Sequence, residues 1–292
     1  MRIEPDPMAN PDAVDGAPAP WRGRYRINGT TIYAEIRGDG SPVLLIPGGA
    51  EDAEGWRAVA ERLAGHTVVT YDRRGTLRSG REDWPGRGSA EHADDAAGLL
   101  REIGIGPAVV FGGSSAGIVA TQLALRYPTL IRRALVFEPG YLRCVPKGTE
   151  LQAATHDAVM AHLDRHATDW VGAYAAALSA AAQSAAPGQP GFLAPPLGRD
   201  WYSRREEGNA EAFVRDDIPV LTSEVVDEAS LALVAVDLRI SRGTASPPVF
   251  GEIAAYLAGI RGADPDVIAG AGHAIYFQPD LVADYIRTNS GA

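Results

Sequence analysis

Two rhythms of hydrophobic positions alternate along the chain. Val43-Leu44-Leu45-Ile46, Thr67-Val68-Val69-Thr70-Tyr71, Ala108-Val109-Val110-Phe111 and Ala134-Leu135-Val136-Phe137 are nearly unbroken apolar, β-branched runs. Strands buried on both faces read this way. Between them, residues 56–63, 89–103 and 115–127 have the composition and period of helices. Ahead of them, Tyr25-Arg26-Ile27 and Thr31-Ile32-Tyr33-Ala34-Glu35-Ile36 alternate around Asn28-Gly29, a hairpin signal. Strand and helix alternating at this pitch predict an α/β domain, a mostly parallel sheet with helices on both faces. Such sheets bind ligands beyond the C-terminal ends of their strands.

The rhythm breaks between residues 141 and 233. Alanine-rich helical segments (152–165 and 168–183) are followed by a Pro/Gly-rich stretch, 187–198, and more helix, with no strand signal among them. This predicts a helical cap inserted into the core. Sheet logic resumes with Asp237-Leu238-Arg239-Ile240-Ser241, a helix over 249–260, a strand over 265–269 and a closing helix over 279–287. The expected organisation is therefore an arm (1–20), a core (21–140 and 234–292) and a cap (141–233). The arm, rich in Pro, Asp and Ala and without apolar period, is expected to be disordered.

Composition narrows the function. A formal charge of −10 would repel a phosphate backbone, and no basic block offsets it, so nucleic acid is not an expected partner. The single cysteine, Cys144, excludes an internal disulfide and fits a reducing compartment. No apolar run reaches the roughly 18 to 20 residues needed to cross a bilayer, and residues 1–20 have no signal-like apolar region. These features predict a cytoplasmic protein away from membranes. A homodimer is compatible with the sequence, and the expected partner is a small molecule.

The candidate chemistry sits where the third buried strand ends. Gly113-Ser114-Ser115-Ala116-Gly117 matches G-x-S-x-G, with a strand before it and a helix after it, the context in which a serine rides a strained turn as a nucleophile. On this frame the nucleophile is Ser115. No G-x-G-x-x-G or G-x-x-x-x-G-K-[ST] occurs, which disfavours a nucleotide loop. A serine needs a base. Of the six histidines, His66 precedes a strand, His92 lies within a helix, and His156, His162 and His166 fall in the cap. His162 and His166 have metal-ligand spacing without a third ligand nearby, so no metal and no cofactor is expected. His273 follows a strand in a Gly-rich loop late in the chain, where the order serine, acid, histidine requires it. The usual place for the acid, the loop Arg242-Gly243-Thr244-Ala245-Ser246, holds no carboxylate. Asp237 precedes that strand and Glu252 lies in the next helix. Glu138, ending the strand after the nucleophile helix, is the best-placed acid. The backbone N–H groups of Gly49 and Ala116 are the expected oxyanion donors.

With these residues together, the chain resembles the α/β-hydrolases, through residues 113–117, the Pro47-Gly48-Gly49 turn, the Tyr71-Asp72-Arg73-Arg74-Gly75 loop and Gly272-His273. More narrowly, it is similar to the zearalenone lactonases, whose pattern also places a catalytic Glu after this strand and lacks the later Asp. Ser114-Ser115, Phe137-Glu138-Pro139 and Gly272-His273 match that arrangement. The resemblance implies hydrolysis of an apolar ester or lactone through an acyl-enzyme. A carboxylesterase, methyl esterase or perhydrolase would use the same three residues, and a non-catalytic ligand-binding protein is the reading from another class. Trp170, Tyr174, Trp201, Tyr202 and Phe213 are the expected pocket aromatics of the cap.

Overall fold

The computed structural model describes residues 14, 16, 17, 19–184 and 199–291. Most of the N-terminal arm and the 187–198 stretch therefore lie outside the described residues. In chain order the elements are β1 (Trp21–Ile27), β2 (Thr30–Arg37), β3 (Ser41–Ile46), α1 (Arg57–Arg62), β4 (His66–Tyr71), α2 (Ser89–Ile103), β5 (Ala108–Gly113), α3 (Ser115–Arg126) and β6 (Ile131–Phe137). There follow α4 (Pro146–Leu163), α5 (Trp170–Gln183), α6 (Arg199–Gly208), a single turn α7 (Ala210–Ala212), a π-helical turn (Phe213–Asp217) and α8 (Glu228–Ala232). The chain closes with β7 (Asp237–Gly243), α9 (Pro248–Ile260), β8 (Asp266–Ile268) and α10 (Pro279–Asn289).

The eight strands form one sheet in the order β1-β2-β4-β3-β5-β6-β7-β8. β1 and β2 are joined through Asn28 and Gly29, both at positive φ (46° and 81°), which is what a two-residue hairpin of this twist demands. From β4 to β8 every pairing is parallel. The unbroken apolar runs owe their character to this geometry, because alternate side chains of one strand enter different layers. Leu44 and Ile46 of β3 pack with Leu99 and Leu100 of α2 and Ile118 and Val119 of α3. Val43 and Leu45 pack on the other face with Val59 of α1 and Val282 and Ile286 of α10. All four β3 residues are fully buried, each worth about 1.5–3 kcal/mol of transfer free energy.

Between β6 and β7 every described element is helical. A third apolar cluster, which includes Val159, Tyr174, Ala177, Ala210 and Val214, joins this segment to Ala50 of the β3–α1 turn. Together with the C-terminal ends of β3, β5 and β6, the segment walls a cavity of about 990 Å³, its open mouth included.

Candidate active site

The floor of the cavity is built where β5 ends. Gly112 pairs with Val136 and Gly113 with Phe137, so the strand runs to Gly113 and the turn falls on the next residue. That residue is Ser114. It sits at φ 53°, ψ −128°, a conformation costing roughly 1–3 kcal/mol for a side chain other than glycine. Three hydrogen bonds hold it: its N–H donates to Phe137 O (3.1 Å), and its carbonyl accepts from Gly117 N (2.9 Å) and Gly140 N (2.8 Å). The elbow serine is thus Ser114, one residue before the expected Ser115. Sterics explain the correction. A Cβ on Gly112, two residues before Ser114, would lie 2.5 Å from the Ala116 carbonyl, two residues after it. A Cβ on Gly113 would meet nothing closer than 3.5 Å. The tight crossing is centred on Ser114.

His273 reaches this serine. Its Nε2 lies 3.2 Å from Ser114 Oγ and its Nδ1 2.7 Å from Glu138 Oε2. With Nδ1–H donating to the carboxylate, Nε2 is left to accept the hydroxyl proton. Phe250 of α9 stacks on the imidazole, with centroids 3.6 Å apart and planes 11° from parallel. Glu138 is fully buried at φ 41°; its N–H donates to Ser241 O (2.8 Å) and its Oε1 accepts from Gly243 N (2.8 Å). The last residue of β7, ahead of a loop empty of carboxylates, therefore supplies a backbone donor to the carboxylate that follows β6. His273 and Glu138 come together as the sequence suggests. Ser115 instead turns into the first turn of α3. Its Oγ is buried, away from His273, with the Asp217 carboxylate as its polar neighbour.

The same one-residue shift moves an oxyanion donor. The N–H following the elbow belongs to Ser115, while Ala116 sits a residue deeper in α3, fully buried. The first N–H groups of a helix have no intrahelical acceptor, which leaves that of Ser115 available at the helix start. Gly49 lines the cavity as expected.

Of the expected aromatics, Tyr174 and Phe213 line the cavity, packed edge to face at 5.0 Å. Trp170 is not among the lining residues. It begins α5 on the flank of the third apolar cluster, with the Arg215 guanidinium 5.9 Å from its ring centre. The side chains of Trp201 and Tyr202 lie outside the described residues. Leu151, Ala177, Leu178 and Ala181 give the cavity an apolar wall from α4 and α5.

The cavity also has a polar part that sequence reading missed. Glu51 Oε2 accepts from Gly48 N and Trp56 Nε1, both at 2.7 Å, and Glu206 Oε1 accepts from the Tyr276 hydroxyl at 2.8 Å. Burial pushes the Glu51 carboxyl up to about 8, against these donors, and raises Glu206 as well. The residual exposure of Glu51 faces the cavity it lines. His92 Nε2 lies 2.6 Å from Asp216 Oδ2, and Arg73 Nη2 meets both oxygens of Asp217, which also lines the cavity, at 2.8 and 2.9 Å. The one legible hint of these pairs was the density of charge in two apolar neighbourhoods, which marks pairing without naming partners. Among the described residues, no three His, Cys, Asp or Glu side chains gather to hold a metal, and no helix is long and apolar enough to cross a membrane.

Comparison with known proteins agrees with this architecture. Residues 41–169 match the α/β-hydrolase fold family model. The chain is 39% identical over 134 residues to an uncharacterized hydrolase of Bacillus subtilis, YraK, covering 45% of this chain and 49% of that one. It is 31% identical over 116 residues to a zearalenone hydrolase of Bionectria ochroleuca, covering 38% and 44%. These alignments span about half or less of the relatives' length. An α/β hydrolase from Sphaerobacter thermophilus superposes with a TM-score of 0.65 at 26% identity, over 90% of this chain and 98% of the other.

Proposed function

From a chain with the α/β-hydrolase fold, we propose a serine hydrolase that cleaves apolar esters or lactones through an acyl-enzyme. The observation that carries this is the unbroken chain from Ser114 Oγ through His273 to Glu138 at the floor of a largely apolar cavity. Ser114 Oγ attacks the carbonyl carbon as His273 Nε2 takes its proton, and Glu138 holds the tautomer and stabilises the imidazolium. The developing oxyanion is held by the N–H groups of Gly49 and Ser115, each such donor worth about 2.7–4 kcal/mol. His273 then protonates the leaving alkoxide. In the second half water adds to the acyl carbon with His273 again as base, and the acid and free Ser114 are released. The fused alcohol and acid of a lactone leave as one hydroxy acid.

The apolar wall of α4 and α5 suits a hydrocarbon-rich substrate, and the zearalenone hydrolase relative supports a macrolactone among those to be tried. Ser114→Ala is expected to lower p-nitrophenyl butyrate turnover by on the order of 10⁴-fold or more and to abolish labelling by a fluorophosphonate probe. Ser115→Ala is expected to keep labelling, with the adduct mapped to Ser114. The reverse pattern would overturn the assignment. Rates on a macrolactone against linear esters of equal carbon count then separate lactonase from esterase.

A further inference from the structure

Residues 48–52, which carry the Gly49 N–H, are gripped mainly from the helical segment. The Phe213 ring lies against Gly49, so that a Cβ there would sit 2.8 Å from two ring carbons. Asn209 Nδ2 donates to the Ala50 carbonyl (3.3 Å) and to Asp52 Oδ2 (3.1 Å). Ala50 needs such a hold, since it is a non-glycine residue at φ 57°. Arg205 donates to Asp52 Oδ1 through Nη2 (2.7 Å) and Nε (3.1 Å). Finally, Arg73 Nη2 donates at once to the Gly48 carbonyl (2.9 Å) and to Asp217, tying the turn to the π-helical turn. Arg73, Asn209 and Asp217 are each only 1% exposed, so water does not compete for these bonds. Within the turn Glu51 accepts from Gly48 N, and from the core side Asp72 accepts from Ala53 N.

Resting on the ester-hydrolase reading above, we infer that residues 205–217 are a clamp that sets the oxyanion donor of Gly49, with Asn209, Phe213 and Asp217 as positioning residues. The helical segment then does more than wall the cavity, because its docked position is part of the transition-state geometry. An oxyanion donor moved by about 1 Å loses much of its effect, on the order of 10²-fold in rate.

The test uses the full chain with Asn209→Leu, Asp217→Asn and Phe213→Leu, each checked for folding by circular dichroism. The substrate is p-nitrophenyl acetate, whose acyl group is too short to depend on the α4–α5 wall. The inhibitor is butylboronic acid, which forms a tetrahedral adduct with a hydroxyl at the oxyanion position. The clamp predicts kcat lower by roughly 10- to 100-fold, KM within about 2-fold, and boronate Ki raised in proportion to the loss in kcat. Wild-type kcat in the folded variants, or a rise in KM alone, would overturn it. Phe213→Leu keeps an apolar side chain against Gly49, so it decides the matter should the polar variants fail to fold. Its expected loss is about 10-fold. Wild-type protein that neither turns over esters nor is labelled at Ser114 would instead remove the hydrolase reading itself.

Discussion

Ser114 and Ser115 are chemically identical, and the backbone decides between them. The six residues Gly112-Gly113-Ser114-Ser115-Ala116-Gly117 hold two overlapping frames, one flanked by Gly112 and Ala116, the other by Gly113 and Gly117. Letters favour the wrong one, because only the second reads G-x-S-x-G, while Ala116 is small enough for the first to close equally tightly. What ranks them is how far β5 stays paired and where two backbones come within van der Waals contact, both tertiary facts. His273 and Glu138 were legible for the opposite reason, His273 being the one histidine in a loop after a strand and Glu138 directly following the apolar run of β6. Glu51 was invisible, since its partners Gly48 and Trp56 flank it in an ordinary-looking turn. It makes a definite expectation at this scale. Burial raises its pKa to about 8 from the 4.5 of an unburied glutamate. The native state thus holds a proton that the unfolded chain releases, and stability falls as pH rises from about 4.5 to about 8, levelling beyond. Urea unfolding midpoints across this range should show that slope, and Glu51→Gln, which cannot ionise, should make it shallower, the remainder belonging to other buried carboxyls raised the same way, Glu206 and Glu54 among them. An unchanged slope in the variant would place the proton elsewhere.

At the scale of elements, the site is a junction of two neighbouring parallel strands. β5 delivers Ser114 and β6 delivers Glu138, each at positive φ one residue beyond the paired Gly113 and Phe137. α3 must pack close enough for this to hold. A Cβ on Gly117 would lie 2.9 Å from Pro139 Cα and Cβ and 3.3 Å from Val136. Gly117→Val therefore has to push α3 away from the turn bearing Glu138. Such overpacking typically costs about 1–3 kcal/mol, read as a fall of several degrees in Tm, and kcat should fall with it as Glu138 shifts from His273. A variant with wild-type Tm and kcat would show that the crossing is looser than its geometry. Strand and helix positions were readable from period alone, because burial on both faces writes itself into unbroken apolar runs. The Gly243 N–H on Glu138 was not, since a backbone donor leaves no residue type to read.

For the whole molecule, the helical segment is where sequence reading thins out. Alanine-rich composition announces helices but not which face they turn inward, which is why Tyr174 and Phe213 reach the cavity while Trp170 stays on its flank. The pairs that join segment to core, Arg73 with Asp217 and His92 with Asp216, are separated by more than a hundred residues, and nothing local marks them. The placement of Glu138 on β6 has a consequence for how such a chain can drift. The end of β7 serves the triad through the Gly243 N–H, so the exposed side chain of Ala245 carries no catalytic duty, while Thr244 Oγ1 accepts from Gly270 N in the loop that leads to His273. Gly243 is bound differently, since a Cβ there would sit 2.1 Å from the Ala271 carbonyl. A saturation library is expected to recover active clones with most residues at 245, chiefly Thr, Ser and other small acceptors at 244, and almost none but glycine at 243. In lineages built this way the β7 loop is free to diverge in sequence while the chemistry is inherited through β6.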